Sequence, residues 1–106
     1  QSINDLEEIA SHFDGINIKL MKCGGIYNAL KIIEEAKQNN LKIMQGCMTE
    51  TSCGILAAAS ISSLANFVDL DSPLLTKNDP FSGINYKSGK LEISESVGLG
   101  LNPTEL

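Results

Sequence analysis

The chain has 106 residues, 42% of them hydrophobic and 20% charged, with a net charge of −5, which is room for one ordinary globular domain. Its eight basic residues are scattered lysines, and only five aromatic side chains could stack on bases, so the composition argues against a nucleic-acid partner. No apolar run approaches the ~20 residues of a membrane span, and no signal-peptide pattern opens the chain.

Cys23, Cys47 and Cys53 are odd in number and lack CxxC spacing, which suits a reducing cytoplasm better than a disulfide or zinc framework. The first residues are Gln1-Ser2 rather than Met, as expected of a piece of a longer polypeptide. In chain order, Ser2 is placed to cap a helix, with Asp5 reaching back three positions later. Leu6, Ile9, Ala10 and Phe13 then share a helical face. His12 lies off that stripe and reads as an exposed helix-end histidine. Asp14-Gly15 closes the helix.

From Ile16 to Lys22 the pattern is that of a strand, with Ile16, Ile18 and Leu20 alternating with Asn17, Lys19 and Met21. If both faces are covered, as in a parallel sheet, Lys19 is a buried cation that must be paired or employed. On an edge strand it would simply reach solvent. Gly24-Gly25 permits a sharp turn, or a close approach to a ligand, just past the strand's carboxyl end. Ile26, Ala29, Leu30 and Ile33 predict a second amphipathic helix, stopped by Gln38-Asn39-Asn40. Leu41 to Gly46 is the next short apolar segment. Thr49 or Thr51 can cap a third helix over about 52–65, whose alanines and serines suit close packing on a sheet; Gly54 inside it hints at tight packing or a ligand nearby. Residues 67–71 predict a third strand, stopped by Ser72-Pro73. Ile84 and Tyr86, then Leu91 and Ile93, alternate around Ser88-Gly89 as a hairpin expected to pack on something outside the chain. Residues 97–101 predict a last extended piece.

Strands starting near 16, 41 and 67 with a helix between each pair form a βαβαβ series with parallel strands. Lys19 to Gly25, Cys47 to Glu50 and Asp69 to Asp71 each fall at or just past a strand's carboxyl end, the edge where parallel α/β folds bind ligands. Lys19 could be a general base, a Schiff-base nucleophile or an anion anchor. Asp69 and Asp71, one residue apart, point the same way on a strand. They could bind a metal, share a proton, hold an ammonium group or be an ordinary solvated pair. No partner for Ser-His-Asp catalysis and no phosphate-binding glycine loop is present. Cys47 reads as a small buried thiol rather than a nucleophile.

The stretch from Asn17 to Ile26 resembles the sixth-strand motif of the enolase superfamily, in its muconate-lactonizing-enzyme-like branch. Within that branch it is similar to the dipeptide epimerases of the L-Ala-D/L-Glu type. The likeness continues through Gly46-Cys47-Met48-Thr49-Glu50-Thr51, Gly54-Ile55, Ala57-Ala58-Ala59, Asp69-Leu70-Asp71-Ser72-Pro73-Leu74 and Val97-Gly98-Leu99-Gly100. The Asp69-x-Asp71 pair is the more discriminating motif, since many racemases and cycloisomerases of the branch share the lysine strand.

The resemblance implies an α/β fold: the C-terminal part, strands six to eight, of a modified (β/α)8 barrel, with a tail returning to an α+β capping domain. Residues 1–76 would belong to the barrel and 77–106 to the tail and hairpin packing on the cap. Lys19 would be one of two lysines that take and return the α-proton of a dipeptide such as Ala-Glu. Cys47 and Thr49 would line the pocket, and Asp69 and Asp71 would bind the dipeptide's α-ammonium. Mg2+ is the implied cofactor, with its ligands and the second lysine on the missing N-terminal part, so no metal ligand is assigned here. The implied partners are a small dipeptide and that N-terminal part, with no nucleic acid and no membrane; a homo-oligomer stays open. The alternatives are an N-acylamino-acid racemase or o-succinylbenzoate synthase of the same branch, or a non-catalytic small α/β binding module.

Overall fold

The computed structural model describes residues 5–104, so the cap expected from Ser2 lies outside the described residues. A short helix, α1 (Leu6–Ala10), buries Leu6, and Phe13 stands exposed beyond its end. The chain then enters β1 (Gly15–Ile18), whose burial alternates as two-residue periodicity demands: Ile16 and Ile18 inside, Asn17 outside.

The strand expected to reach Lys22 stops at Ile18. Leu20–Cys23 closes instead into a single helical turn, α2, because Lys22 and Cys23 donate their N–H groups to the Lys19 carbonyl at 2.9 and 3.0 Å. Gly24 (φ 89°) and Gly25 (φ 103°) end that turn with backbone angles a side chain would strain, and both donate to the Leu20 carbonyl. The next helix, α3 (Ile26–Gln38), buries Ala29, Ile32, Ile33 and Ala36. The stripe therefore runs i, i+3, i+4, i+7 from Ala29; Ile26 and Leu30, expected inside, are turned outward. Asn40 adopts the left-handed conformation (φ 58°) at the helix end, and Leu41 N–H bonds the Ala36 carbonyl at 2.9 Å.

The second strand, β2 (Lys42–Gln45), pairs parallel with β1, matching Ile16 to Ile43 and Ile18 to Gln45. The helix after it, α4 (Ser52–Ala59), is shorter than the periodicity predicts and gives way to a 3-10 turn at Ser62–Leu64. Serine hydroxyls explain the break: Ser60 Oγ and Ser62 Oγ donate to the carbonyls of Ala57 and Ala59 at 2.7 and 2.8 Å, a local alternative to the helical ladder. Asn66 sets the third strand in register, its N–H donating to the Ile43 carbonyl and its Oδ1 accepting the Ile43 N–H, both at 2.8 Å. That strand, β3 (Phe67–Val68), pairs parallel with β2 and ends three residues earlier than expected, as Ser72–Leu75 turns into a 3-10 helix opened by Pro73.

The sheet order is β1-β2-β3, all parallel. One face carries Ile16, Ile18 and Ile43 and packs, with α3 and α4, into a core that includes Ile33, Ala36, Ile55 and Ala58. The other face carries Asn17, Met44 and Phe67 and is uncovered; Phe67 is 57% exposed.

The tail forms two small antiparallel pairs. β4 (Phe81–Ser82) is joined by the last strand, and β5 (Asn85–Lys87) turns through Ser88-Gly89 into β6 (Lys90–Glu92). Ser88 and Gly89 are both left-handed (φ 51° and 75°), the geometry of the tight hairpin turn expected there. The hairpin does find a partner within the chain, because Ile84 and Leu91 pack against the core. The extended piece expected over 97–101 is a turn region, with Gly98 and Gly100 left-handed; the strand that follows is β7 (Asn102–Pro103), paired with β4.

Candidate active site

Because the three strands are parallel, their carboxyl ends share one edge of the sheet. Lys19 follows β1, Gly46 and Cys47 follow β2, and Asp69 follows β3. The ladder runs one step further than the strands: Gly46 N–H donates to the Ile18 carbonyl and Asp69 N–H to the Gln45 carbonyl, each at 2.9 Å. Carried that one step, the register lines up Lys19, Gly46 and Asp69 in one row. Lys19 keeps extended angles (φ −127°, ψ 122°), so alternation puts its side chain on the uncovered face with Asn17. Gly46, in the middle of the row, has no side chain to separate the lysine from the carboxylate. The Asn17 amide leans over it instead: a Cβ there would lie 2.5 Å from Asn17 Oδ1, so a larger residue would have to push that exposed side chain aside.

Lys19 is half-buried, and Asp69 and Asp71 are exposed. Among the described residues, neither the Lys19 ammonium nor either carboxylate has a hydrogen-bond or ion-pair partner. The expectation that Asp69 and Asp71 point alike as strand neighbours is corrected, because the strand has ended and Asp71 has helical angles (φ −95°, ψ −3°) at the start of the 3-10 turn. Cys47 is half-buried and Thr49 exposed on the loop between β2 and α4.

Four residues of this region were not legible as site residues. Glu50 is buried; its Oε1 accepts the Met48 N–H at 2.9 Å and so shapes the Cys47–Thr49 loop. Gly54 makes room for it, since a Cβ there would sit 2.5 Å from Glu50 Oε2. Ser72, also buried, accepts the Glu50 N–H at 3.1 Å and donates to the Glu50 carbonyl at 3.2 Å, tying that loop to the segment after Asp71. Tyr86, from the hairpin, donates its hydroxyl to the Leu70 carbonyl at 2.5 Å, between the two aspartates. Burial first, then the ionised forms of Cys47 and Asp71, raise the phenol's pKa above its ordinary value. Thr51 stands at the N-cap of α4, as one of the two expected positions, but its side chain makes no capping bond; Asp79 supplies that bond from the tail, as Oδ2 accepts Ser52 N–H at 2.7 Å and Ser52 Oγ–H at 2.6 Å. No local pattern reveals the contacts of Ser72, Tyr86 and Asp79, which join residues between 16 and 27 positions apart. Glu50 at least stood inside a quoted motif, and a carboxylate just ahead of a helix is a cue that could have flagged it.

A match to the family described as Enolase C-terminal domain-like covers residues 2–106. The chain belongs to that family. It is similar to the L-Ala-D/L-Glu epimerase of Bacteroides thetaiotaomicron, with 43% identity over 101 residues, which are 95% of this chain and 26% of that enzyme. Among solved structures it is similar to the substrate-liganded L-Ala-D/L-Glu epimerase of Bacillus subtilis (36% identity, TM-score 0.88, 99% of this chain and 31% of that one). It is also similar to the dipeptide epimerase of Cytophaga hutchinsonii complexed with Mg and D-Ala-L-Val (32% identity, TM-score 0.86, 98% of this chain and 30% of that one). The chain spans about a quarter of the length of the curated relatives it matches. Those relatives are epimerases and racemases, an isomerase class.

Proposed function

We propose that these residues form the C-terminal part of a dipeptide epimerase, contributing one acid–base lysine and a carboxylate pair to its site. In this reading Lys19 removes or returns the proton on the substrate α-carbon, and a second lysine outside the chain acts on the opposite face. Asp69 and Asp71 receive the dipeptide's α-ammonium, while Cys47 and Thr49 border the pocket. The observation that carries the reading is the row at the sheet edge, where Lys19 and Asp69, each without a side-chain partner among the described residues, are aligned by the register of one parallel sheet, with Asp71 just past it, in a chain related to dipeptide epimerases. A lysine without a carboxylate partner is free to exchange its proton, and carboxylates without a cation are free to accept one.

Magnesium belongs to this reading through the likeness to the Cytophaga enzyme. Among the described residues no three His, Cys, Asp or Glu side chains converge to hold a metal ion. The donor set among the described residues does not fit a metal site, so in this reading the magnesium ligands lie on other parts of the polypeptide. The cytoplasm is the proposed location; what the structure adds is that no helix among the described residues is long and apolar enough to cross a membrane.

The test is epimerisation of Ala-Glu by the full-length enzyme, beside the same dipeptide acetylated on its amine. Turnover of the free-amine compound in preference to the acetylated one is the expected result. The reverse preference would replace this reading with an N-acylamino-acid racemase.

A further inference from the structure

The segment bearing Asp69 and Asp71 is held by the Leu70 side chain in the core, by its backbone and by Ser72. Asp69 N–H bonds the Gln45 carbonyl at 2.9 Å, the Asp71 carbonyl accepts Leu74 N–H at 3.0 Å, and Ser72 Oγ bonds the Glu50 backbone. The remaining anchor point is the carbonyl of Leu70, a buried residue between the two aspartates. Among the described residues no main-chain N–H donates to that oxygen; its donor is the Tyr86 hydroxyl, at 2.5 Å, reaching in from the hairpin. A buried carbonyl left without a donor would be penalised, so this bond, together with the packing of the Leu70 side chain, sets where the peptide between the carboxylates sits. Tyr86 also lines, with Asp69, Leu70 and Asp71, a cavity of about 520 Å3.

We propose that Tyr86 is a positioning residue for the ammonium-binding pair: by holding the Leu70 carbonyl it sets the spacing and direction of Asp69 and Asp71, which makes the tail hairpin part of the substrate site. For what the carboxylates hold, the inference rests on the dipeptide reading above. Its chemistry is simple. Two carboxylates converge on one ammonium only if the peptide joining them is fixed, and one hydroxyl fixes it from outside the strand.

Tyr86→Phe in the full-length enzyme keeps the ring and its packing and removes only the hydrogen bond. A neutral bond of this kind corresponds to about a threefold to tenfold effect, expected as a rise in KM for the free-amine dipeptide with kcat changed less. The preference over the N-acetylated compound should narrow by a similar factor. In the substrate-free enzyme, deuterium uptake into the peptide spanning Asp69–Ser72 should be faster than in wild type. Wild-type uptake there, or faster uptake with wild-type KM on whichever compound the wild-type enzyme prefers, would overturn the proposal. Failure of the parent reading shows separately, as a wild-type enzyme that prefers the acetylated compound.

Discussion

At the scale of single residues, Lys19 and Asp71 divide the proposed chemistry between them. Lys19 leaves the strand in an extended conformation and has no carboxylate partner among the described residues, so in the proposed role its replacement removes a proton carrier without breaking an ion pair there. Lys19→Ala in the full-length enzyme should lower epimerisation by about 10^2–10^4-fold, the usual contribution of a positioned acid–base group. It should still exchange the α-proton of one substrate epimer with deuterated solvent through the opposite lysine. Equal, near-normal turnover in both directions would remove Lys19 from the reaction. Asp71→Asn keeps the size of the side chain and deletes its charge. Loss of a charge-assisted bond to the ammonium should cut kcat/KM for free-amine dipeptides by about ten- to a hundredfold, while leaving N-acetylated substrates nearly unaffected. Matched steady-state kinetics on the two substrates decide it; an unchanged ratio would show that the ammonium is held elsewhere.

Among the elements, α4 depends most visibly on a distant residue. Its first turn has no cap of its own, and Asp79 supplies one from 27 residues downstream. Burial pushes the Asp79 carboxyl up, but donation from Ser52 Oγ–H, Ser52 N–H and Phe81 N–H outweighs it, so the pKa lies below the ordinary 3.8. A depressed carboxyl stabilises the fold fully above its unfolded value and loses that contribution as pH falls through the folded one. Asp79→Ala should therefore cost about 0.5–2 kcal/mol at neutral pH, the range for a lost helix cap. The gap between variant and wild type should close below about pH 4. Thermal melts of the full-length enzyme across that range are the measurement, and a gap independent of pH would refute the ionic part of the cap. The same residue ties the end of the tail to α4, since Thr104 Oγ1 donates to its carbonyl at 3.1 Å while its carboxylate holds Ser52.

Taken whole, the molecule exposes 7008 Å2, whereas a folded monomer of 11.4 kDa is expected to expose about 5,800 Å2. Its extents, 48 × 25 × 25 Å, agree with a body that is elongated and open on one side. Part of the exposed surface is the uncovered sheet face bearing Met44 and Phe67, and β1 and β3 are free edges of the sheet. Open edges and a bare apolar face invite pairing with another chain. The isolated 106 residues are therefore expected to self-associate or to melt without cooperativity, as sedimentation and calorimetry would register. A sharp two-state melt of a monomer would contradict this.

Much of the architecture was legible because it is written in short-range pattern. Alternation over Ile16 to Ile18 and the 3.6-residue stripe of α3 each need only a few neighbours to express themselves, and their spacing alone implied three parallel strands with Lys19, Cys47 and Asp69 at one edge. The turn at Ser88-Gly89 was equally local. What the sequence could not disclose depends on residues far apart along the chain. β3 stops at Val68 as Ser72 is drawn to Glu50, 22 positions away. Asp79 caps α4, and Tyr86 reaches Leu70, only once the tail has folded back on the sheet. Periodicity measures which side of an element is buried, so it showed that Ile16 and Ile18 share a face and that α3 is amphipathic, although the buried stripe of α3 is turned to exclude Ile26 and Leu30. Hydrogen bonds between distant segments decide where an element ends and which side chains meet, and those were settled by tertiary structure alone.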